Sequence, residues 1–231
     1  MKNLFLFVLL FHCARYVEAQ SILSLEGLGI EVGYTNANFV NRPAFKQGLP
    51  FNHFKLSSLN SFSMALTKTE MLTQHLTLLY RAGYTRQGFN RLDARDLEGL
   101  AGTPCDLRLH RAMVDVNIRY SLTNKRIRPY VGMGIRGLAT LHSKLNTLSF
   151  IELSTSNFNK LDWALLPAAG LEIGNRFRME AACNIGMRQA LSGVPGLNER
   201  WYNRSFTLSL GYVIRPTHRI KYPKHRGCLN F

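Results

Sequence analysis

Between Leu109 and Leu141 the chain alternates apolar and polar residues twice, with a polar turn in between. In the first arm Ala112, Val114, Val116, Ile118 and Tyr120 share one parity, and Arg111, Met113, Asp115, Asn117 and Arg119 share the other. Side chains on a strand alternate between its faces, so this arm carries one apolar face and one charged face. Leu122 to Arg126 supplies the turn, and the return arm sets Val131, Met133 and Ile135 against Tyr130, Gly132, Gly134 and Arg136. Each arm has about ten residues, the length a tilted strand needs to cross a bilayer's hydrocarbon layer. Strands of soluble domains are nearer five or six residues.

Six more segments carry the same alternation. Gly27 to Asn36 sets Leu28, Ile30, Val32 and Tyr34 against Gly29, Glu31, Gly33 and Thr35. A second, Lys55 to Thr67, alternates cleanly only at Phe62, Met64 and Leu66. Thr73 to Thr85 aligns Leu76, Leu78, Tyr80, Ala82 and Tyr84; Trp163 to Gly174 aligns Leu165, Pro167, Ala169, Leu171 and Ile173. Pro167 removes a ladder donor, which places it near a strand start or a bulge. Phe177 to Met187 aligns Phe177, Met179, Ala181, Cys183, Ile185 and Met187. Tyr202 to Ile214 is the most regular, and Arg204, sharing its apolar parity, belongs at the rim.

The links between these eight strands alternate in length. Lys68 to Leu72, Thr123 to Lys125 and Asn175-Arg176 are short, and the other four are long, about 14 to 24 residues. Outer-membrane barrels have short periplasmic turns and longer extracellular loops, and a chain that starts in the periplasm meets a long loop first. The fold expected is therefore all-β: an eight-stranded antiparallel up-and-down transmembrane β-barrel with short periplasmic turns and longer extracellular loops. No run downstream of the N-terminus approaches 18 consecutive apolar residues, so helical spans are not expected.

The first 19 residues, MKNLFLFVLLFHCARYVEA, pair Lys2 with an apolar run from Leu4 to Phe11 and end on a small-x-small site at Val17-Glu-Ala19. They have the form of a cleaved signal peptide, and they imply export to the outer membrane. The expected organisation is a signal peptide over 1–19, a short segment over 20–26, a barrel over 27–215 and a basic tail over 216–231. The formal charge is +15; cleavage removes Lys2, Arg15 and Glu18, hence one net positive charge, and leaves +14. Such a balance favours anionic partners, namely lipid headgroups and lipopolysaccharide, while export argues against nucleic acid. The tail carries Arg215, Arg219, Lys221, Lys224 and Arg226 with no acid, which suits a membrane surface or a periplasmic or envelope partner. Cys105, Cys183 and Cys228 are too few and too scattered for a disulfide framework, with Cys105 and Cys228 left as one open pairing.

The hairpin LHRAMVDVNIRYSLTNKRIRPYVGMGIRG, the segment LLPAAGLEIGNRFRMEAACNIGM and the closing SFTLSLGYVI resemble the outer-membrane β-barrel (porin-like) proteins of Bacteroidetes. In those, an rPYvGxG strand and a GxGxE strand precede a closing alternating strand; here Ala168 to Gly174 approximates the second, with Ala169 departing from it. The resemblance implies fold and location more than activity. It departs at the C-terminus, because such barrels usually end on the last strand, whereas this chain continues to Phe231.

A charge on the lipid face costs roughly 2–4 kcal/mol at the midplane, so the charged parity must face the lumen. The candidate lumen charge network is Glu31, Arg81, Asp115, Arg119, Arg136, Glu172, Arg178, Glu180 and Arg188. An eight-stranded barrel is wide enough only for side chains to fill it, and mixed signs in one lumen imply pairing and a plugged barrel. Gly132-Met-Gly134-Ile-Arg-Gly137 matches a dinucleotide fingerprint literally, but it lies inside a strand with no helix after it. Its glycines are expected to ease curvature or make room for lumen side chains, and neither a cofactor nor a metal is expected. His142-Ser143 invites a hydrolase reading, yet neighbours on a strand point to opposite faces, and no catalytic residue is assigned. The segment Gln87 to Arg108 is expected as a solvated loop rich in charge, and Asn203-Arg-Ser205 is a glycosylation sequon by pattern only. The function expected is non-enzymatic, structural or interaction-based through the loops. A lipid-modifying enzyme barrel, a narrow channel and a soluble lipocalin-like binder are the competing readings.

Overall fold

The computed structural model describes residues 25–42, 54–94, 106–123, 125–146, 159–189 and 200–216. Eight strands, β1 (Leu28–Arg42), β2 (Phe54–Met71), β3 (Leu76–Ala94), β4 (Asp106–Ser121), β5 (Ile127–Asn146), β6 (Leu161–Ile173), β7 (Phe177–Gln189) and β8 (Arg200–Val213), form one sheet. Each pairs antiparallel with its sequence neighbours, and β1 pairs with β8, which closes the barrel. Closure leaves no unpaired strand edge, the condition for placing a sheet where water cannot bond to it. The three short turns (72–75, 122–126 and 174–176) lie at one end, and the strand ends that lead into 43–53, 95–105, 147–160 and 190–199 lie at the other.

The barrel is apolar outside and polar inside. Ile30, Val32, Leu66, Val114, Val116, Ile118, Met133, Ile135, Leu208 and Leu210 are all exposed on its outer face. On β4 the apolar belt and its flanks cover about ten residues, roughly 25 Å in height at the usual tilt near 40°. Rings border it: Phe62, Tyr84, His110 and His142 follow one another across β2 to β5 at the long-loop end, with centroids 5.9, 6.0 and 5.8 Å apart. At the short-turn end His75 stacks on Tyr120 and Phe177 packs on Tyr212.

The strands run beyond the segments in which apolar and polar residues alternate. The β2–β3 turn falls at 72–75 rather than at Lys68 to Leu72, because Lys68 and Glu70 extend β2 past the apolar belt. Gln87 to Arg108 is not one loop: β3 continues through it to Ala94, and β4 begins at Asp106. Above the belt the outer face is itself polar, as at Arg86 and Asn90, so alternation fades while the ladder continues. Pro167 sits in the middle of β6, opposite Met133, and not at a strand start or bulge. The β6–β7 ladder lapses between Leu165 and Ala168, so the missing donor falls where no bond is made.

Candidate functional site

The inward parity brings seven charged side chains from five strands into one buried cluster. Arg81 of β3 is its hub, with Nε at 3.1 Å from Glu31 of β1, Nη1 at 3.6 Å from Asp115 of β4, and Nη2 on Glu180 of β7. Arg178 donates to Glu31 at 2.5 Å. Arg136 grips Asp115 with two parallel bonds of 2.8 and 2.7 Å. Arg119 pairs with Glu180, which also accepts from the Tyr130 hydroxyl at 2.8 Å. The Arg119 guanidinium lies 4.6 Å from the centre of the Tyr130 ring. All seven charged groups are at most 8% exposed. Burying so many charges is tolerable only because each has an opposite partner within the cluster. Arg81, Arg119, Arg136 and Arg178 against Glu31, Asp115 and Glu180 leave this cluster one positive charge in excess.

Glu172 belongs to the lumen but pairs elsewhere, accepting from Arg128 at 2.7 Å near the short-turn end. Arg188 corrects the expected set. It has the inward parity of β7, but it lies where that strand leaves the barrel wall, is exposed, and donates to the Leu161 carbonyl at 3.1 Å. Parity fixes a side chain's face only while the wall continues on both sides, and the β7–β8 register breaks between Ile185 and Gln189.

A second polar layer lies towards the long-loop end and did not figure in the expected set. Arg111 is fully buried and donates to Gln87 at 3.0 Å and to Asp162 at 3.2 Å, and Asn203 donates to Gln87 at 2.6 Å. Arg111, Asn203 and Gln87 all have the inward parity. Asp162 lies one residue before the segment in which β6 could be recognised. Above this layer Leu59, Leu107 and Leu109 are buried, as are Phe39 and Phe89, which pack edge to face at 6.1 Å. At the opposite end, the void beside Arg119, Tyr130 and Arg178 is about 10 Å³, room for about one water.

The glycines of the G-x-G-x-x-G run have two different uses. A Cβ on Gly132 would meet Asn117 Oδ1 at 2.6 Å and Arg119 Cγ at 3.0 Å, so Gly132 makes room for lumen side chains. Gly137 faces outward, and a Cβ there would meet only Val114 O at 3.8 Å.

His142 and Ser143 point to opposite faces. His142 is exposed, facing His110 across the β4–β5 ladder, and Ser143 lies opposite the buried Leu109. His110 Nδ1 is bonded to the Tyr84 hydroxyl at 2.5 Å. Among the described residues no three His, Cys, Asp or Glu side chains gather as metal ligands. Cys183 is free and half-buried on the outward parity of β7. The signal segment, Cys105, Cys228 and the tail from Thr217 lie outside the described residues.

No family model and no curated protein matches the chain. Among solved structures it is similar to the outer-membrane protein OprG of Pseudomonas aeruginosa, at 16% identity over 82% of this chain and 97% of that one, TM-score 0.47. It is similar to Ail, the attachment invasion locus protein of Yersinia pestis, at 14% identity over 81% and 98%, TM-score 0.38. It is also similar to the outer-membrane enzyme PagL, at 14% identity over 80% and 99%, TM-score 0.45. None of the three is described as a Bacteroidetes protein. The closed eight-stranded barrel stands on its own strand order.

Proposed function

We propose that this chain is a bacterial outer-membrane β-barrel without enzymatic activity, acting structurally or by binding through its long-loop face. One observation carries the reading: the wall is inverted, with exposed Val, Ile and Leu outside and compensated charges inside. In water such a wall would expose an apolar belt far larger than soluble monomers show; in a bilayer it is the expected arrangement. The signal-like first 19 residues and the alternating loop lengths support an outer-membrane location with the short turns in the periplasm. The rPYvGxG-type hairpin supports a place among the Bacteroidetes-type barrels.

Charge pairing and apolar closure across the lumen favour a plug over a channel. Work then falls to the loops, the outer rim and the basic tail, whose partners would be outer-membrane lipid, lipopolysaccharide or an envelope protein. A hydrolytic centre at His142-Ser143 is disfavoured because a base must reach its nucleophile. The test is gel mobility of boiled against unboiled protein from the outer-membrane fraction, with bilayer recordings of the same material. A heat-dependent shift without stable conductance steps is expected. Soluble protein with no shift would refute the membrane reading, and regular steps would refute the plug.

A further inference from the structure

The outer wall of the barrel is not uniformly padded. Over most of the belt the outward positions of β4 and β5 hold large side chains such as Val116, Ile118, Met133 and Ile135. Towards the long-loop end they shrink: Ala112 pairs with Ala139, and Val114 pairs with Gly137. On the next strand Leu161 stands beside Ala139 and Trp163 beside Gly137, both exposed. The result is a groove of about 450 Å³ with an Ala-Gly-Ala floor and a wall of Leu161 and Trp163. Nothing in the wall reaches into it, since a Cβ on Gly137 would touch only a carbonyl oxygen at 3.8 Å.

Cations stand at the upper end of this groove. Arg188 lines it, exposed and held by its bond to the Leu161 carbonyl. Lys160 and Lys144 are exposed on the adjoining strand ends. Among the described side chains, Asp106 is the only carboxylate on the outward parity at this end, and Arg108 holds it at 2.9 Å. An apolar slot of this volume below cations that no carboxylate among the described side chains offsets is complementary to one kind of molecule: an acyl chain joined to a phosphorylated head.

We infer that this groove is a binding site for lipid A, the phosphorylated acyl glycolipid of the outer leaflet. One acyl chain lies over Gly137 against Trp163, and a head-group phosphate is bound by Arg188 and Lys160. The inference rests on the outer-membrane reading, which places the long-loop end in the outer leaflet. Several phosphates and several chains on one head make lipid A a better match to a ring of cations than a phospholipid with one phosphodiester. Charge-assisted bonds from a guanidinium to phosphate are the strong kind.

Trp163 is a built-in reporter. The chain has two tryptophans, so Trp201→Phe leaves Trp163 as the sole emitter. The protein is folded into phosphatidylcholine vesicles, and its fluorescence is titrated with lipid A carrying brominated chains, with brominated phosphatidylglycerol and with brominated phosphatidylcholine. Half-maximal quenching by lipid A is expected at a mole fraction roughly tenfold below that for phosphatidylcholine, as suits two cations near phosphate. Gly137→Leu, which fills the groove, and Arg188→Ser with Lys160→Ser, which discharges its rim, should each bring the ratio close to one. Equal quenching by all three lipids in the parent would overturn the site, and phosphatidylglycerol matching lipid A would overturn the glycolipid assignment. Each variant is first checked for the heat-dependent gel shift. Loss of that shift in the parent would mark failure of the membrane reading, whereas a normal shift with unselective quenching would mark failure of this site alone.

Discussion

Arg81→Met tests whether the lumen cluster holds the barrel together. Arg81 touches three carboxylates from three strands and is 2% exposed. Methionine keeps the apolar stem and removes the charge. Glu31 then keeps Arg178, Asp115 keeps Arg136, and Glu180 keeps Arg119 and the Tyr130 hydroxyl. No carboxylate is left wholly alone, but each loses one cation in a low-dielectric interior. Breaking a buried pair by removing one partner costs about 3–5 kcal/mol; the retained partners put this substitution near the lower end. With a urea dependence of about 2 kcal/mol/M, the unfolding midpoint should fall by roughly 1.5 M. The assay is reversible urea unfolding of the barrel in detergent micelles, followed by tryptophan fluorescence and gel mobility. Glu180→Gln should be at least as harmful, since Arg119 then loses its carboxylate and keeps only the Tyr130 ring. Because Arg81 and Glu180 touch, the double variant should be more stable than the summed single effects imply, by about 1 kcal/mol or more. Arg81→Met within about 1 kcal/mol of the parent, or strict additivity with Glu180→Gln, would refute the hub.

Two further tests address the two faces of the wall. Val116→Arg and Leu208→Arg put a cation on the apolar belt and should cost roughly 2–4 kcal/mol, whereas Asn60→Arg, exposed at the long-loop rim, should cost about 0–1; the heat-shifted fraction after outer-membrane assembly reads the difference, and equal assembly of all three would sink the inside-out assignment. Gly170→Ala should destabilise by about 1–3 kcal/mol, because its Cβ would fall 2.2 Å from Met179 O and 2.6 Å from the Tyr130 hydroxyl that bonds Glu180. Urea midpoints check this, and a neutral result would mean that the Tyr130–Glu180 bond is not held in place by the Gly170 gap.

Strand number, order and facing were legible because a lipid-facing wall makes the period-2 signal strong wherever both environments are present. Eight of the nine charges expected in the lumen do face it, and all eight lie where apolar residues flank them on the same strand. The signal fades where the outer face meets water. Arg86 and Asn90 continue β3, and Lys68 and Glu70 continue β2, with no apolar partner to reveal the alternation. For that reason no alternation marks Gln87, Phe39 or Phe89 as inward-facing; Asp162, flanked by the outward Leu161 and Trp163, lies one residue before the expected start of β6. Arg188 failed for the complementary reason: its parity is inward, but the wall has ended and the guanidinium turns out over the rim.

The sign of the lumen decides where the rest of the charge must act. Arg128 cancels Glu172 and Arg111 cancels Asp162, so the described lumen side chains together keep the single excess positive charge of the central cluster. The chain carries a formal charge of +15, of which the described lumen side chains account for one. A charge on the apolar belt costs roughly 2–4 kcal/mol, and among the described residues Lys144, Lys160 and Arg188 stand exposed at the long-loop rim. That is a level at which a bilayer presents its phosphates. A barrel that only needed to be inserted would gain nothing from cations there, and one built to conduct would place charge along the lumen. Exposed cations at headgroup level, with a groove for an acyl chain directly below Arg188, fit the inference of a barrel that holds anionic lipid against its own wall.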